Sequence, residues 1–389
     1  MAVVTKPRLL FVVTEDWYFL SHRIVLARAA QADGWEVHLA TRVGEHAKRL
    51  RDEGIIVHPL TWNRRSKNPF KEFKALVALI RVCRTVRPAI VHYVAMKMIV
   101  YGALCQLFAP PSYVVNAVSG LGSVFSVASL RTRILRTIVN TVLSLFLRRQ
   151  NGIVVVQNPD DGDFFRERKF VPRDGIRLIP GAGIDTERFR PGPEPAGDRI
   201  IASVVARMLW DKGIAETVEA ARLLKSRGVP VLLRLIGPPD PENPNSVSAD
   251  RLQEWQDEGI VDWMGARSDI EQVWAESHIA VLASYREGLP RSLLEAAACG
   301  RPMVTTDTSG CRMLVKHDQN GLIVPVADAG ALADAIERLA NEPDLRSRYG
   351  NRAREMVLES FSDAVIIDAF LALYRSGLDK SPPSARNPL

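Results

Sequence analysis

Short apolar, β-branched runs of five to eight residues recur along the chain and alternate with longer stretches whose apolar residues return every three or four positions. Strands of a parallel sheet are covered on both faces and read as near-continuous hydrophobic runs, so this alternation predicts βαβ units. The first series of strands is expected at "RLLFVVT", "WEVHLAT", "IIVHPL", "AIVHYV", "SYVVNAV", "GIVVVQN" and "IRLIP". The stretch "RPGPEPAGD" (Arg190 to Asp198) then breaks the period; rich in Pro and Gly, it reads as an interdomain linker. A second series follows at "RIIASVVA", "VLLRLIG", "VDWMG", "IAVLAS", "PMVTTD" and "GLIVPV", with helical patterns such as "IAETVEAARLLKSRG" between them.

The fold class expected is α/β, with two doubly wound, Rossmann-like domains over 1–190 and 199–361. A last helix, about 362–379, is a candidate to pack back on the first domain, and the tail 380–389 is expected to be disordered. Two such sheets in tandem predict a central cleft at the carboxyl ends of both sets of strands, where open α/β sheets take ligands.

Composition adds little beyond this, because 389 residues with 47% hydrophobic and 24% charged side chains suit an ordinary multidomain globular protein. The four cysteines, Cys83, Cys105, Cys299 and Cys311, are scattered through apolar segments and form no C-x-x-C pair. They fit reduced thiols of a cytosolic protein and exclude a disulfide or zinc framework. No charged residue lies between Met98 and Leu130, yet Pro110-Pro111 and "SGLG" (Ser119 to Gly122) cut that run into pieces too short to span a bilayer. The apolar "LLFVV" near the start is followed at once by Glu15 and Asp16, unlike a signal peptide.

Charge changes the picture more. Residues 1–180 carry 27 Lys+Arg against 13 Asp+Glu, whereas the remainder carries 24 against 31. Part of the basic excess of the first half lies in "TWNRRSKNPFKEFK" (Thr61 to Lys74). There Trp62, Phe70 and Phe73 are interleaved with Arg64, Arg65, Lys67, Lys71 and Lys74, a pattern suited to anionic headgroups with rings at the interface. The segment "LRTRILRTIVNTVLSLFLRR" (Leu130 to Arg149) reads equally as a core helix with solvated ends or as a second interfacial element. No recognisable nucleic-acid module accompanies the charge, so nucleic acid is not expected as a partner.

The densest candidate chemistry is "SYREGLPRSLLEAAACGRPMVTTD" (residues 284–307). A strand ends near Ser284, and a helix is expected to start near Pro290 with proline in its first turn, where a missing N–H costs nothing. Free amides and the positive helix end favour an anion, and Gly288 lets a ligand approach the backbone. Glu287 lies in the loop before the helix and Glu295 about one turn inside it, so the two would bracket a bound molecule laid out as sugar, diphosphate and ribose. In "VARMLWDKG", Arg207 and Lys212 follow another strand of the same domain and are placed to meet phosphate oxygens. His22, His92 and Lys97 are expected at or just after strand ends of the first domain; as packed or capping residues they would have no part in the chemistry.

The two glutamates separated by seven residues, together with "PGAGIDTERF" (Pro180 to Phe189), "VARMLWDKG" and "GCRMLVKHDQNGLIVPV", make the C-terminal half resemble the retaining family 4 glycosyltransferases of GT-B fold. That resemblance implies that Glu287 contacts the donor sugar and Glu295 the ribose hydroxyls. It also implies that Arg207 and Lys212 hold the diphosphate, with Gly183, Gly288 and Leu289 on the donor side. In the first half, "TEDWYFLSHR" (Thr14 to Arg23) and "VNAVSGLG" (Val115 to Gly122) resemble bacterial enzymes that build O-antigen, capsule or exopolysaccharide units on a polyprenyl diphosphate carrier. Family members often carry a glycine pair in the first loop, where this chain has "EDWYFLSHR".

The resemblance implies transfer of a sugar from a nucleotide diphosphate sugar, UDP-linked, to a hydroxyl of a lipid-linked saccharide acceptor. Glu287, His92 and Lys97 are the catalytic candidates, and His22, Arg23 and Asn116 the acceptor-side candidates. Neither a metal nor another cofactor is expected: no D-x-D motif stands out, and "DDGD" (Asp160 to Asp163) reads as a turn or helix start. The residues leave Glu287 as nucleophile or electrostatic stabiliser; the second is preferred because no second carboxylate can be placed beside it. The enzyme is expected in the cytoplasm, peripherally associated with the inner face of the membrane. A sugar-nucleotide 2-epimerase of the same architecture and a non-enzymatic two-domain sugar-binding protein are the alternatives; the first leaves the basic first domain unexplained and the second needs no diphosphate cradle.

Overall fold

Each apolar run forms a strand in the computed structural model, which describes residues 6–62, 68–120, 130–149, 151–172 and 174–380. In chain order the first seven are β1 (Arg8–Glu15), β2 (Glu36–Arg42), β3 (Ile56–Pro59), β4 (Ile90–Val94), β5 (Tyr113–Ala117), β6 (Gly152–Val156) and β7 (Ile176–Leu178). They pair in parallel in the order β3-β2-β1-β4-β5-β6-β7. The next six are β8 (Ile200–Val205), β9 (Val231–Ile236), β10 (Asp262–Trp263), β11 (Ile279–Leu282), β12 (Met303–Thr306) and β13 (Gly321–Val324). These form a second parallel sheet ordered β10-β9-β8-β11-β12-β13.

Period-2 alternation divides each strand between two cores. Along β1, Leu9, Phe11 and Val13 join one buried cluster while Leu10 and Val12 join the other. The second sheet does the same, with Ile279 and Val281 on one side and Ala280 and Leu282 on the other. Strand order reverses once in each sheet, between β1 and β4 and between β8 and β11. At such a switch point the following connections leave on opposite faces of the sheet and open a crevice at the carboxyl ends of the strands.

The chain divides into two compact units, one made of residues up to Ala182 with Ile366 onward, the other Gly183–Val365. The division falls earlier than the Pro/Gly-rich stretch that was expected to be the joint. That stretch is bound to the second unit: Arg301 donates to the carbonyls of Gly192 and Pro193, and the Arg346 guanidinium forms two 2.9 Å bonds with the Glu194 carboxylate. The helix Asp363–Asp379 supplies Ile366, Phe370, Leu371 and Tyr374 to the first unit's core beside Leu9 and Phe11. Residues 381–389 of the tail lie outside the described residues.

One expectation for the basic segments changes. Trp62 is buried and its indole N–H donates to the Thr14 carbonyl at 2.9 Å, so it belongs to the core and not to an interface. Phe70 and Phe73, by contrast, are 80% and 66% exposed on the helix Pro69–Val86; Arg64, Arg65 and Lys67 lie outside the described residues. The helix Leu130–Phe146 buries Val139 and Leu143, as a core helix does, and leaves Leu135, Ile138 and Leu145 exposed. The "DDGD" stretch opens the helix Pro159–Glu167, capped by the Asn158 side chain, which accepts the Asp161 N–H at 2.8 Å. Among the described residues no helix is long and apolar enough to cross a membrane.

Phe370 is 1% exposed and lies against His92, with ring centroids 5.3 Å apart. Phe370→Ala should cost about 3–5 kcal/mol of first-unit stability, typical of a buried Phe removed from a core. Amide hydrogen exchange checks this: protection should fall in β1 and β4 and stay unchanged in β8 and β11.

Candidate active site

The switch point of the second sheet is closed by contacts between the loop after β8 and the loop after β11. The first loop runs through Arg207 into a short 3-10 turn, Trp210–Lys212, and ends at Gly213. Gly213 has φ +70°, and a Cβ there would stand 2.0 Å from the Ala283 carbonyl oxygen, so only glycine lets the two loops approach so closely. The Tyr285 N–H donates to the Asp211 carbonyl at 3.0 Å, and the Tyr285 hydroxyl donates to the Glu216 carboxylate at 2.5 Å.

Between these attachments the Lys212 ammonium stands 2.5 Å from Oε1 of Glu287, which also accepts the Ser284 hydroxyl at 2.7 Å. Ser284 is itself fixed by the Thr306 hydroxyl at the end of β12, which donates to its carbonyl at 2.5 Å. The backbone of Glu287 and Gly288 lies against Gly310, where a Cβ would come within 2.7 and 2.5 Å of their carbonyl oxygens. Glu287 is therefore held from three directions: by a hydroxyl, by an ammonium and by backbone contact. The pairing of Glu287 with Lys212 and Ser284, and of Tyr285 with Asp211 and Glu216, was not read from the sequence; the spatial adjacency of β8 and β11 reveals it.

Glu295 is in a different environment. The helix Arg291–Ala298 has Pro290 as its N-cap, one position earlier than expected, and Glu295 lies on its buried side with the Arg291 Nε donating to it at 3.0 Å. Burial raises the Glu295 carboxyl above the usual carboxylate range, and Arg291 opposes that shift. Arg207 does not join the Lys212–Glu287 pair. Its guanidinium donates to Asp240, on the loop after β9, at 2.7 Å, and half of its side chain is exposed. An exposed pair of this kind is worth about 0–1 kcal/mol, so a phosphate can displace Asp240 at little cost. Leu289 packs on the apolar cluster behind the helix. Gly183 has φ +77° with Asp363 against it, a Cβ falling 2.8 Å from the Asp363 Cα, so backbone conformation and this close contact both favour glycine there. A cavity of about 190 Å³ also lies at the ends of β8 and β9, lined by Val205, Ala206, Ile236, Gly237 and Pro238.

In the first unit, "EDWYFLSHR" turns directly from β1 into the helix Asp16–His22. Asp16 is buried and accepts the N–H groups of Trp17 at 2.7 Å and Gly44 at 2.6 Å, anchoring this helix to the loop after β2. His22 ends the helix, stacked on Tyr18 with ring centroids 4.2 Å apart and planes 5° from parallel. Arg23 follows, buried, with its guanidinium over the Phe370 ring and long 3.4 Å bonds to the carbonyls of His22 and Gly181. Lys97, on the helix that follows β4, stands 2.8 Å from the Glu72 carboxylate, and Asn116 is buried within β5.

The placement expected for His92 is corrected. It occupies the middle of β4, fully buried, its ring flanked by Phe11 and Phe370 and its Nδ1 2.6 Å from the Tyr374 hydroxyl. Burial, reinforced by the positive charge of Arg23, holds its pKa well below the ordinary imidazole range. A neutral ring without exposed surface is a core residue, not a group that meets substrate.

Comparison with known proteins agrees with this architecture. A family model described as "Glycosyl transferases group 1" matches residues 185–356, and one described as "Glycosyl transferase 4-like" matches 8–153. The chain is 29% identical to N,N'-diacetylbacillosaminyl-diphospho-undecaprenol alpha-1,3-N-acetylgalactosaminyltransferase of Campylobacter jejuni, over 92% of this chain and 97% of that one. It is 22% identical to UDP-Gal:alpha-D-GlcNAc-diphosphoundecaprenol alpha-1,3-galactosyltransferase of Escherichia coli, over 78% and 79% of the two chains. Among solved structures, sucrose-phosphate synthase from Thermosynechococcus elongatus shares the fold with a TM-score of 0.78 at 23% identity, over 97% of this chain and 100% of that one. With the two models matching successive halves on a GT-B framework, the chain belongs to the group 1, family 4-like glycosyltransferases.

Proposed function

We propose that the enzyme moves a sugar, with retention of configuration, from a UDP-linked donor to a hydroxyl of a polyprenyl-diphosphate-linked saccharide in bacterial surface polysaccharide synthesis. The observation that carries this reading is the Lys212–Glu287 pair at the switch point of the second sheet. The names of the two relatives, each acting on a saccharide joined to undecaprenol through a diphosphate, support the acceptor class.

In the reaction, the acceptor oxygen bonds to the anomeric carbon while the bond from that carbon to the diphosphate breaks. The electron pair leaves on the diphosphate, and the acceptor proton passes to the departing oxygen. The transition state is positive on the sugar ring and increasingly negative on the leaving group. Lys212, Arg207 and the amides of Gly288 and Leu289 take the negative charge. Glu287, once the diphosphate competes for the Lys212 ammonium, faces the positive ring as stabiliser. Fixed charges of this kind do for the leaving group what a divalent cation does elsewhere, so the reading calls for no metal. Glu295, buried and with a raised pKa, keeps a carboxyl at the ribose; the cavity at the ends of β8 and β9 suits the flat, weakly polar face of a nucleobase.

For the acceptor we assign the first unit, whose basic excess and exposed apolar side chains suit an anionic lipid surface better than nucleic acid. Phe70, Phe73, Lys71 and Lys74 share the first two turns of one helix, and each Lys near such a surface contributes about 1 kcal/mol. On this reading the enzyme works in the cytoplasm, reversibly docked on the inner face of the membrane.

Three outcomes test the reading. Glu287→Gln should lower kcat by roughly 10²–10³-fold, as loss of one electrostatic stabiliser does, while UDP affinity by calorimetry changes little; near-normal turnover would refute the role. Lys212→Ala and Arg207→Ala should weaken UDP binding at least tenfold (about 1.4 kcal/mol) and uridine binding hardly at all; equal losses for both ligands would remove the diphosphate assignment. Vesicles containing anionic lipid should co-sediment with the protein at low salt and release it at high salt, and Phe70→Ser with Phe73→Ser should weaken that binding. Equal retention by neutral vesicles would overturn the electrostatic account.

A further inference from the structure

The helix Asp16–His22 exposes aromatic surface directly after β1. Trp17 is 45% exposed, in the first turn after β1, next to Tyr18 with ring centroids 5.9 Å apart in an edge-to-face arrangement. Tyr18 in turn stacks on His22, and the Ser21 hydroxyl, 2.6 Å from Nδ1 of His22, fixes the imidazole. The three rings thus form one continuous array on a single short helix.

Two further observations bear on what the array is for. Its mounting is rigid at the end that matters, because Asp16 ties the Trp17 amide to the loop after β2 by bonds of 2.7 and 2.6 Å. Its position is the switch point of the first sheet: β1 is the strand at which the order reverses, and its neighbour β4 leads into the helix that carries Lys97. An exposed tryptophan used only for packing gains nothing from being held there. A pyranose ring, in contrast, presents an apolar face of C–H groups with slight positive charge, which an aromatic face with its negative quadrupole attracts. Its rim of hydroxyls would meet the polar edge that His22 adds.

We propose that Trp17, with the Tyr18–His22 stack, is a shelf on which a pyranose ring of the acceptor saccharide lies. This rests on the assignment of the acceptor to the first unit. The shelf selects by ring shape: it takes a closed sugar and gives an open-chain polyol or a lipid tail no comparable face.

The test uses the full-length protein in two arms. In the first, saturation-transfer difference NMR is recorded with methyl glycosides of glucose, galactose and N-acetylglucosamine, with glucitol as the open-chain control. Signals from ring C–H protons should appear for at least one glycoside, vanish in Trp17→Ala, persist in Trp17→Phe and be absent for glucitol. In the second arm, with a lipid-linked acceptor, Trp17→Ala should raise the acceptor KM about tenfold, the scale of one lost aromatic contact, leaving the donor KM unchanged. Circular dichroism of Trp17→Ala should match the parent, and Trp17→Phe keeps the test decisive if it does not. Identical NMR signals in Trp17→Ala, equal signals from glucitol, or a loss of vesicle binding in place of sugar binding would each overturn the shelf. Absence of transfer to every lipid-linked acceptor by the unsubstituted enzyme would instead overturn the acceptor reading, and the NMR arm separates the two.

Discussion

Where the order of a parallel sheet reverses, the connections on either side leave on opposite faces, and the backbone groups at the strand ends between them stay uncovered. The protein meets that constraint twice. In the second unit the gap between β8 and β11 is held by the Lys212–Glu287 pair, by the Tyr285 amide on the Asp211 carbonyl, and by the close approach of Gly213 to Ala283. In the first unit the strand at the reversal, β1, runs straight into a helix that Asp16 pins to the loop after β2. The sheets are buried on both faces, so a loop at a strand end inherits the rigidity of two cores rather than one.

Charge is distributed accordingly. The groups assigned to a polyanionic donor are cations that already hold carboxylates, Lys212 on Glu287 and Arg207 on Asp240. The half-exposed Arg207 is oriented by Asp240 without a large energetic commitment, since exposed ion pairs contribute little net stability, whereas Lys212 and Glu287 pair in a more buried setting. Glu295 represents the opposite arrangement: burying a carboxylate costs stability, and Arg291 offsets only part of the cost. With its folded pKa above the ordinary value, Glu295 stabilises the fold relative to an exposed carboxyl only below the usual carboxylate range, and that advantage is lost as pH rises through the raised pKa.

The strands were legible because a doubly covered strand has little choice of composition, and all the runs in the first and second series became strands. Glu287 and Lys212, singled out in two separate stretches, stand in contact, whereas Arg207 pairs with Asp240 and Glu295 with Arg291. His92 was misjudged for a simple reason. In "AIVHYV" nothing distinguishes the middle of the strand from its end, and the aromatic neighbours that bury the ring come from Phe11 and from Phe370, far away in the chain. Trp62 was misjudged similarly, since its partner, the Thr14 carbonyl, belongs to β1, 48 positions earlier. The Pro/Gly-rich stretch looked like the joint because local composition cannot show that Arg301 and Arg346 fasten it to the second unit.

Sequence alone thus determined what depends on neighbours along the chain: the hydrophobic period that makes each strand, the breaks between elements, the excess of basic charge in the first half, and the glutamate spacing. Tertiary structure decided what depends on partners distant in sequence. It put Lys212 beside Glu287 across 75 positions, buried His92 under the last helix, and returned that helix to the unit in which the chain began. The physical reason is that side-chain period is set by backbone geometry within a few residues, whereas burial and pairing are set by strand order, which only the packing of whole sheets determines.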